Sequence, residues 1–172
     1  MSISQIGVFV ENHPGHVARV LDAFVEAEVQ VRGYCMSDTG DYGIVRFVVD
    51  NPEKAKQVLA DMGCAVVAKE VLCLRLADRP GELANIMGVF ARLNINVEYS
   101  YSLVSTYIAI SVKDLAAAEE ALKKETVELI DQAQLTALVD LDRSNAQEGR
   151  KFRGRHDREG CRAEGGGRGA LR

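Results

Sequence analysis

No apolar run in the 172 residues approaches the ~20 that a membrane-spanning helix needs. The start of the chain also lacks the basic-then-apolar layout of a signal peptide. Together these absences set a cytoplasmic expectation with no membrane partner. Catalytic signatures are missing too: there is no Gly-x-Ser-x-Gly elbow, no Walker loop, no His-Glu-x-x-His and no Gly-x-Gly-x-x-Gly. Glu119-Glu120, the most conspicuous pair of acids, falls on an Ala-rich helical stretch and reads as its solvated face. The expectation is a protein that is not an enzyme and carries no cofactor. Cysteine is sparse and scattered, at Cys35, Cys64, Cys73 and Cys161, with no Cys-x-x-Cys pair, which argues against a zinc knuckle or a ferredoxin-like copper carrier. The first three lie in apolar strand-like runs and read as buried free thiols. His13 and His16 stand close together without a third ligand nearby, so no metal site is expected.

Proline is rare, and two of the three prolines sit in the same context. In Asn12-His13-Pro14-Gly15-His16-Val17 and in Asp78-Arg79-Pro80-Gly81-Glu82-Leu83, an apolar run ends in polar residues, then Pro-Gly, then apolar residues at helical spacing. Proline fixes φ and tolerates the first helical position, and glycine beside it lets another group approach the backbone. Each stretch predicts a strand-to-helix corner with free N–H groups at the positive end of a helix dipole, a place for a small carboxylate.

These corners belong to a longer repeat. Pro14, Gly15, Phe24, Val29 and Val31 match Pro80, Gly81, Phe90, Ile95 and Val97 at an offset of 66 residues; Asn51 and Leu59 match Asp114 and Leu122 at an offset of 63. A period this long, present twice, marks a duplicated small domain rather than a solenoid. Strands are predicted at Ile3–Val10, Val29–Met36, Gly43–Val49 and Ala65–Ala68, with helices from Pro14 and from Pro52, then again at Val71–Ala77, Ile95–Leu103, Tyr107–Val112 and Val127–Ile130, with helices at Pro80–Leu93 and Leu115–Lys124. Asp38-Thr39-Gly40-Asp41 reads as a turn and Asp114 as an N-cap. Gln132–Leu141 reads as an extra strand or an extended lid.

The resulting fold class is α+β: two ferredoxin-like βαββαβ units, antiparallel sheets with helices on one face. The domain reading is 1–70, 71–142, and a disordered Arg/Gly-rich tail over 143–172. Charge follows that last boundary: residues 1–142 hold 12 Lys/Arg against 21 Asp/Glu, while residues 143–172 hold 9 against 4. The tail has only Phe152 and Leu171 as large apolar groups, too few to offset ordering entropy. An Arg/Gly tail can bind nucleic acid electrostatically, and the plainer reading is a solvated appendage. Apolar residues occur at both parities in Gly43–Val49, so that strand is expected to be covered on both faces, by the other repeat or by a second chain. A homodimer is the expected assembly.

The sequence from Asp78 to Leu83, the apolar helix residues Ile86, Met87, Val89 and Phe90, and Asn94-Ile95-Asn96-Val97 closely resemble the ACT domain, a family of small βαββαβ modules that bind amino acids and regulate metabolism. The resemblance covers roughly residues 2–140. The first copy departs from it, with Asn12 in place of Asp and His16 in place of an acidic residue. It implies a free-standing tandem ACT-domain protein that binds an amino acid or related small carboxylate at domain interfaces and regulates a partner enzyme on another chain. The alternatives are an RNA-binding ferredoxin-like module and a ligand-free dimerisation adaptor. The acidic body, and a third strand with one Phe and one Arg, weigh against nucleic acid as a partner.

On this reading Gly15 and Gly81, set by Pro14 and Pro80, offer N–H groups to an α-carboxylate; Asn12 and Asp78 face its ammonium; Val17 and Leu83 line the side-chain pocket. His16 and Glu82 flank the glycines, and Asn96 faces the corner of an adjoining domain. The plainer reading is that Asn12 and Asp78 only satisfy the helix start and that the glycines serve packing. Tyr99, Tyr101 and Leu103 alternate with Glu98, Ser100 and Ser102, and the pattern leaves open which row faces inward.

Overall fold

A computed structural model describes residues 1–11, 13–38, 42–104 and 106–138. The predicted turn at 39–41 and the tail after 138 lie outside the described residues. The first repeat runs β1 (Ile3–Glu11), α1 (His16–Glu26), β2 (Val31–Asp38), β3 (Tyr42–Val49), α2 (Pro52–Asp61) and into β4 (Val66–Arg75). The second continues from β4 through α3 (Glu82–Arg92), β5 (Val97–Ser102), β6 (Tyr107–Val112), α4 (Leu115–Leu122) and β7 (Leu129–Ile130).

All strand pairs are antiparallel, and they form one sheet of order β2-β3-β1-β4-β6-β5, with β7 also on β4. Within each repeat the strand order is therefore the same, β2-β3-β1-β4 and β5-β6-β4-β7. The strands expected separately at 65–68 and 71–77 are one strand, because Ala68-Lys69-Glu70-Val71 contains no turn former and the chain simply runs on. Val66–Val71 pairs with β1, and Leu72–Arg75 pairs with β6.

Each repeat packs its helices on one face of its strands. Ile6, Val8, Val45, Phe47 and Val49 meet Val20, Phe24, Ala55 and Leu59 in the first core; Phe24 and Phe47 lie edge to face at 5.3 Å between ring centroids. Leu72, Leu74, Ile108 and Ile110 meet Ile86, Phe90, Ala118 and Leu122 in the second.

The helix-free faces are not bare. The sheet curls until residues three strands apart touch: Gln5 Nε2 of β1 donates to the Tyr99 hydroxyl of β5 at 2.9 Å, and the Tyr101 hydroxyl donates to Gln5 Oε1 at 2.9 Å. Arg46 and Lys69 lie over the Tyr99 ring, 4.6 and 5.6 Å from its centroid. Where the two ends of the sheet meet, the Val104 amide donates to the Arg32 carbonyl at 2.7 Å, and a Cβ on Gly33 would collide with the Leu103 side chain. Val48, Val71, Cys73, Ala109 and Ser111 are buried on this inner side. Val48, on the opposite parity from Val45, Phe47 and Val49, accounts for the mixed apolar pattern of that strand.

Residues 132–138 are helical rather than a strand or extended lid. Asp131 caps the turn by accepting from the Gln134 amide at 2.9 Å, and Leu135 is fully buried. Gln132 ties the segment back by accepting from the Ser4 amide and donating to the Val49 carbonyl.

Candidate functional site

The Pro-Gly corners take a conformation only glycine accepts easily. Gly15 has φ 89° and Gly81 φ 88°, each the N-cap of its helix. His16 N donates to His13 O at 3.3 Å, and Glu82 N donates to Arg79 O at 3.4 Å. Pro followed by a positive-φ Gly inside an i to i+3 bond is a type II turn. Proline thus serves as the second residue of a turn, and α1 and α3 begin two residues later than expected, at His16 and Glu82.

Neither helix start is capped by a described side chain, and among the described residues a Cβ built on either glycine would meet nothing within 4 Å. Packing therefore does not explain the glycines; backbone conformation does. Asp78 does not cap α3, which leaves its exposed carboxylate beside the corner rather than bound to the helix start.

Beside each corner lies a cleft. The second, of about 450 Å³, is bounded by Leu76, Asp78, Glu82, Ile86, Thr106 and Glu128 among others; the first, of about 330 Å³, by Val10, Glu11, His16, Arg19, Val20 and Cys64 among others. Their walls correspond by the repeat itself. Leu76, Glu82 and Ile86 match Val10, His16 and Val20 at offset 66, and Thr126, Val127 and Glu128 match Gly63, Cys64 and Ala65 at offset 63. A further cleft of about 380 Å³ adjoins the second, between α3 and residues 125–127.

The two clefts differ in charge. In the second, Arg79 Nε pairs with Glu82 Oε2 at 2.8 Å and Arg75 Nη1 with Glu128 Oε2 at 3.3 Å, so Asp78 is the carboxylate there without an ion-pair partner among the described residues. In the first, His16 Nδ1 lies 3.8 Å from Glu11 Oε2, and the His13 and His16 rings meet edge to face at 5.7 Å.

The structure brings Asp78 and Glu82 to one cleft and His16 to the other. Pro14, Gly15, Pro80 and Gly81 form the exposed turns beside them. Val17 packs against the first core and Leu83 is 49% exposed, and neither lines the cleft of its own corner. Asn96 is exposed at the entry to β5, away from both clefts. Asn12 lies outside the described residues. Thr106, Thr126 and Glu128 went unmarked in the sequence, although the offset of 63 could have aligned the last two with the glycine and alanine that follow α2. The Tyr99 and Tyr101 hydroxyls bond to Gln5 between the repeats rather than reaching a corner.

Two βαββαβ units in tandem, each with a glycine turn at the start of its first helix, define a duplicated ferredoxin-like module. The chain belongs to the ACT domain pair family, whose sequence pattern it matches over residues 1–139. No curated protein matches it. Among solved structures it resembles protein BT0572 from Bacteroides thetaiotaomicron, at 27% identity and a TM-score of 0.74, over 79% of this chain and 96% of that one. It shares its fold with the ligand-free regulatory subunit of aspartate kinase from Thermus thermophilus, at 21% identity and a TM-score of 0.54, over 70% and 87% of the respective chains. No helix among the described residues is long and apolar enough to cross a membrane.

Proposed function

We propose that this chain is a regulatory, non-catalytic ACT pair, with modules at 1–70 and 71–142, that binds an amino acid or related small carboxylate at its glycine corners and acts in the cytoplasm, as a homodimer, on an enzyme carried by another polypeptide. The observation that carries the reading is the second corner. An uncapped helix start at a positive-φ glycine opens beside a cleft in which Asp78 has no ion-pair partner among the described residues. A zwitterion fits this arrangement, with its carboxylate at the α3 amides and its ammonium at Asp78. Pro80 and Gly81 shape the turn, Glu82 borders the cleft, and Leu83 and Asn96 stand exposed for an adjoining module to complete the pocket. The first corner, with Pro14, Gly15, His16 and Val17, offers the same turn without a described carboxylate in Asp78's place. Binding changes the partner's state only as far as the ligand prefers one packing of the modules over another.

An RNA-reading role is disfavoured by the inner burial of the helix-free face, since that face would have to be open to stack bases. The test is calorimetry of the full chain against the twenty amino acids. Saturable binding by one or more is expected, with loss in Gly81→Val and retention of the far-UV circular dichroism spectrum. Silence for every amino acid overturns the reading.

A further inference from the structure

We propose that the joined ends of β5 and β6 form a clasp through which the first repeat holds one wall of the second cleft, so that filling that cleft tightens the joint between the repeats. It rests on the ligand site proposed above and names how occupancy of that site is transmitted. At one end of the clasp the Val104 amide donates to the Arg32 carbonyl of β2 at 2.7 Å, and Leu103, 6% exposed, packs on Gly33. At the other end Thr106 borders the second cleft, and its carbonyl accepts from the Leu76 amide at 2.6 Å. The Leu103 amide donates to the Tyr107 carbonyl at 2.8 Å, which ties the two strand ends into one piece. Tyr107 is in turn the register partner of Arg75, and Arg75 and Leu76 line the same cleft. A chain of main-chain bonds thus runs from β2 of the first repeat to the cleft of the second.

The seat of the clasp is close-fitting. A Cβ at residue 33 would overlap the Leu103 side chain and stand 3.1 Å from its Cα, so glycine is what leaves room there. The duplication shows that the contact is particular to this end of the sheet. At the 66-residue offset, which holds through the irregularity each strand carries, Leu103 and Val104 take the places of Ser37 and Asp38 at the end of β2. The same strand end is polar in the first repeat and apolar in the second, and the apolar one reaches across to the other repeat. Glu98, Tyr99 and Tyr101 tie the rest of β5 to the first repeat through side chains, whereas the clasp bonds main chain to main chain.

Two states of this element differ at the cleft. Seated on β2, it presents Thr106 as a wall; lifted, it withdraws that wall and exposes Leu103. One main-chain bond and one buried leucine separate the two states, a difference within reach of a ligand's binding energy. A ligand that touches Thr106 binds the seated state better and so favours it. By linkage, whatever lifts the clasp from the first repeat weakens the ligand in the second.

The test measures, on the full chain, the affinity of whichever of the twenty amino acids binds the wild type, with Gly81→Val placing it at the second corner. Gly33 lines neither cleft, and Gly33→Ala is expected to weaken that affinity roughly 3- to 30-fold while the protein still melts cooperatively. Tyr34→Ala, on the same strand but on its helix-covered face, is expected to leave the affinity unchanged. If Gly33→Ala does not melt cooperatively, Leu103→Ala, which empties the seat from the other side, takes its place and is held to the same outcome. In the wild type the bound amino acid is expected to slow hydrogen exchange at the Val104 amide, which a merely structural contact would not show. An unchanged affinity in the folded seat variant, an equal loss in Tyr34→Ala, or exchange at Val104 indifferent to the amino acid overturns the clasp and leaves the ligand site standing. Silence for every amino acid, or binding that survives Gly81→Val, overturns the site and the clasp together.

Discussion

Glu28 and Asn94 are the two non-glycine residues at positive φ among those described, at 52° and 54°, and they occupy the same place in the two repeats. Each follows the last turn of a helix. Val29 N donates to Phe24 O and Glu28 N to Val25 O, and the second repeat forms the same pair of bonds from Ile95 and Asn94. This is the Schellman ending, whose left-handed residue is ordinarily glycine. Asparagine tolerates that conformation through its short polar side chain, whereas glutamate gains nothing there and bears a cost of ~1–2 kcal/mol. Glu28→Gly removes that cost and adds ~0.5–1 kcal/mol of unfolded-state entropy against it, so the strain term wins by a small margin. The expected outcome is a higher midpoint in urea with an unchanged slope, a gain of about 0.5 kcal/mol.

Among the elements, α2 and α4 show how much of a helix boundary is local chemistry. Asn51 Oδ1 accepts from Lys54 N at 3.1 Å, and Asp114 Oδ1 accepts from Ala117 N at 3.0 Å, at positions the repeat equates. α4 spans only eight residues, so its cap carries a large share of its stability. Asp114→Ala is expected to cost about 1 kcal/mol, read as a lower melting temperature, and Asp114→Asn is expected to recover most of it. The Pro-Gly turns were legible in the same way, as residues that set φ and tolerate a left-handed position within four residues of chain. What reading missed was which side of the helix start they occupy: proline serves equally as a first helical residue or as the second residue of a type II turn, and only the bond across the turn separates the two.

In the whole molecule the two repeats are joined through the inner side of the curled sheet, and that junction is expected to respond to pH. Burial pushes the Tyr101 phenol upward, with the nearby Tyr99 adding to it, and burial raises the Cys73 thiol to about 12. Both groups hold their protons more tightly folded than unfolded, so their contribution is complete below the ordinary thiol and phenol values of 9.0 and 10.0 and declines as the unfolded chain ionises above them. The melting temperature is therefore expected to fall between about pH 9 and 11. Tyr101→Phe should flatten the upper part of that fall, while lowering stability at neutral pH by the lost bond to Gln5. An unchanged alkaline slope in the variant would show that the junction is wet.

The sequence alone was enough for the duplication, the α+β class, the βαββαβ order, the apolar stripes of the helices and the cap at Asp114, because each depends on residues a few positions apart or on a pattern repeated along the chain. It was also enough to single out Gly15 and Gly81. Tertiary structure alone decided that β4 is shared, that the sheet curls so that Tyr99 and Tyr101 meet Gln5, and that Thr106, Thr126 and Glu128 wall the second cleft. Those facts arise from strand pairing and burial between residues up to about a hundred positions apart, as with Gln5 and Tyr101, for which no local rule of turn, cap or period carries the information.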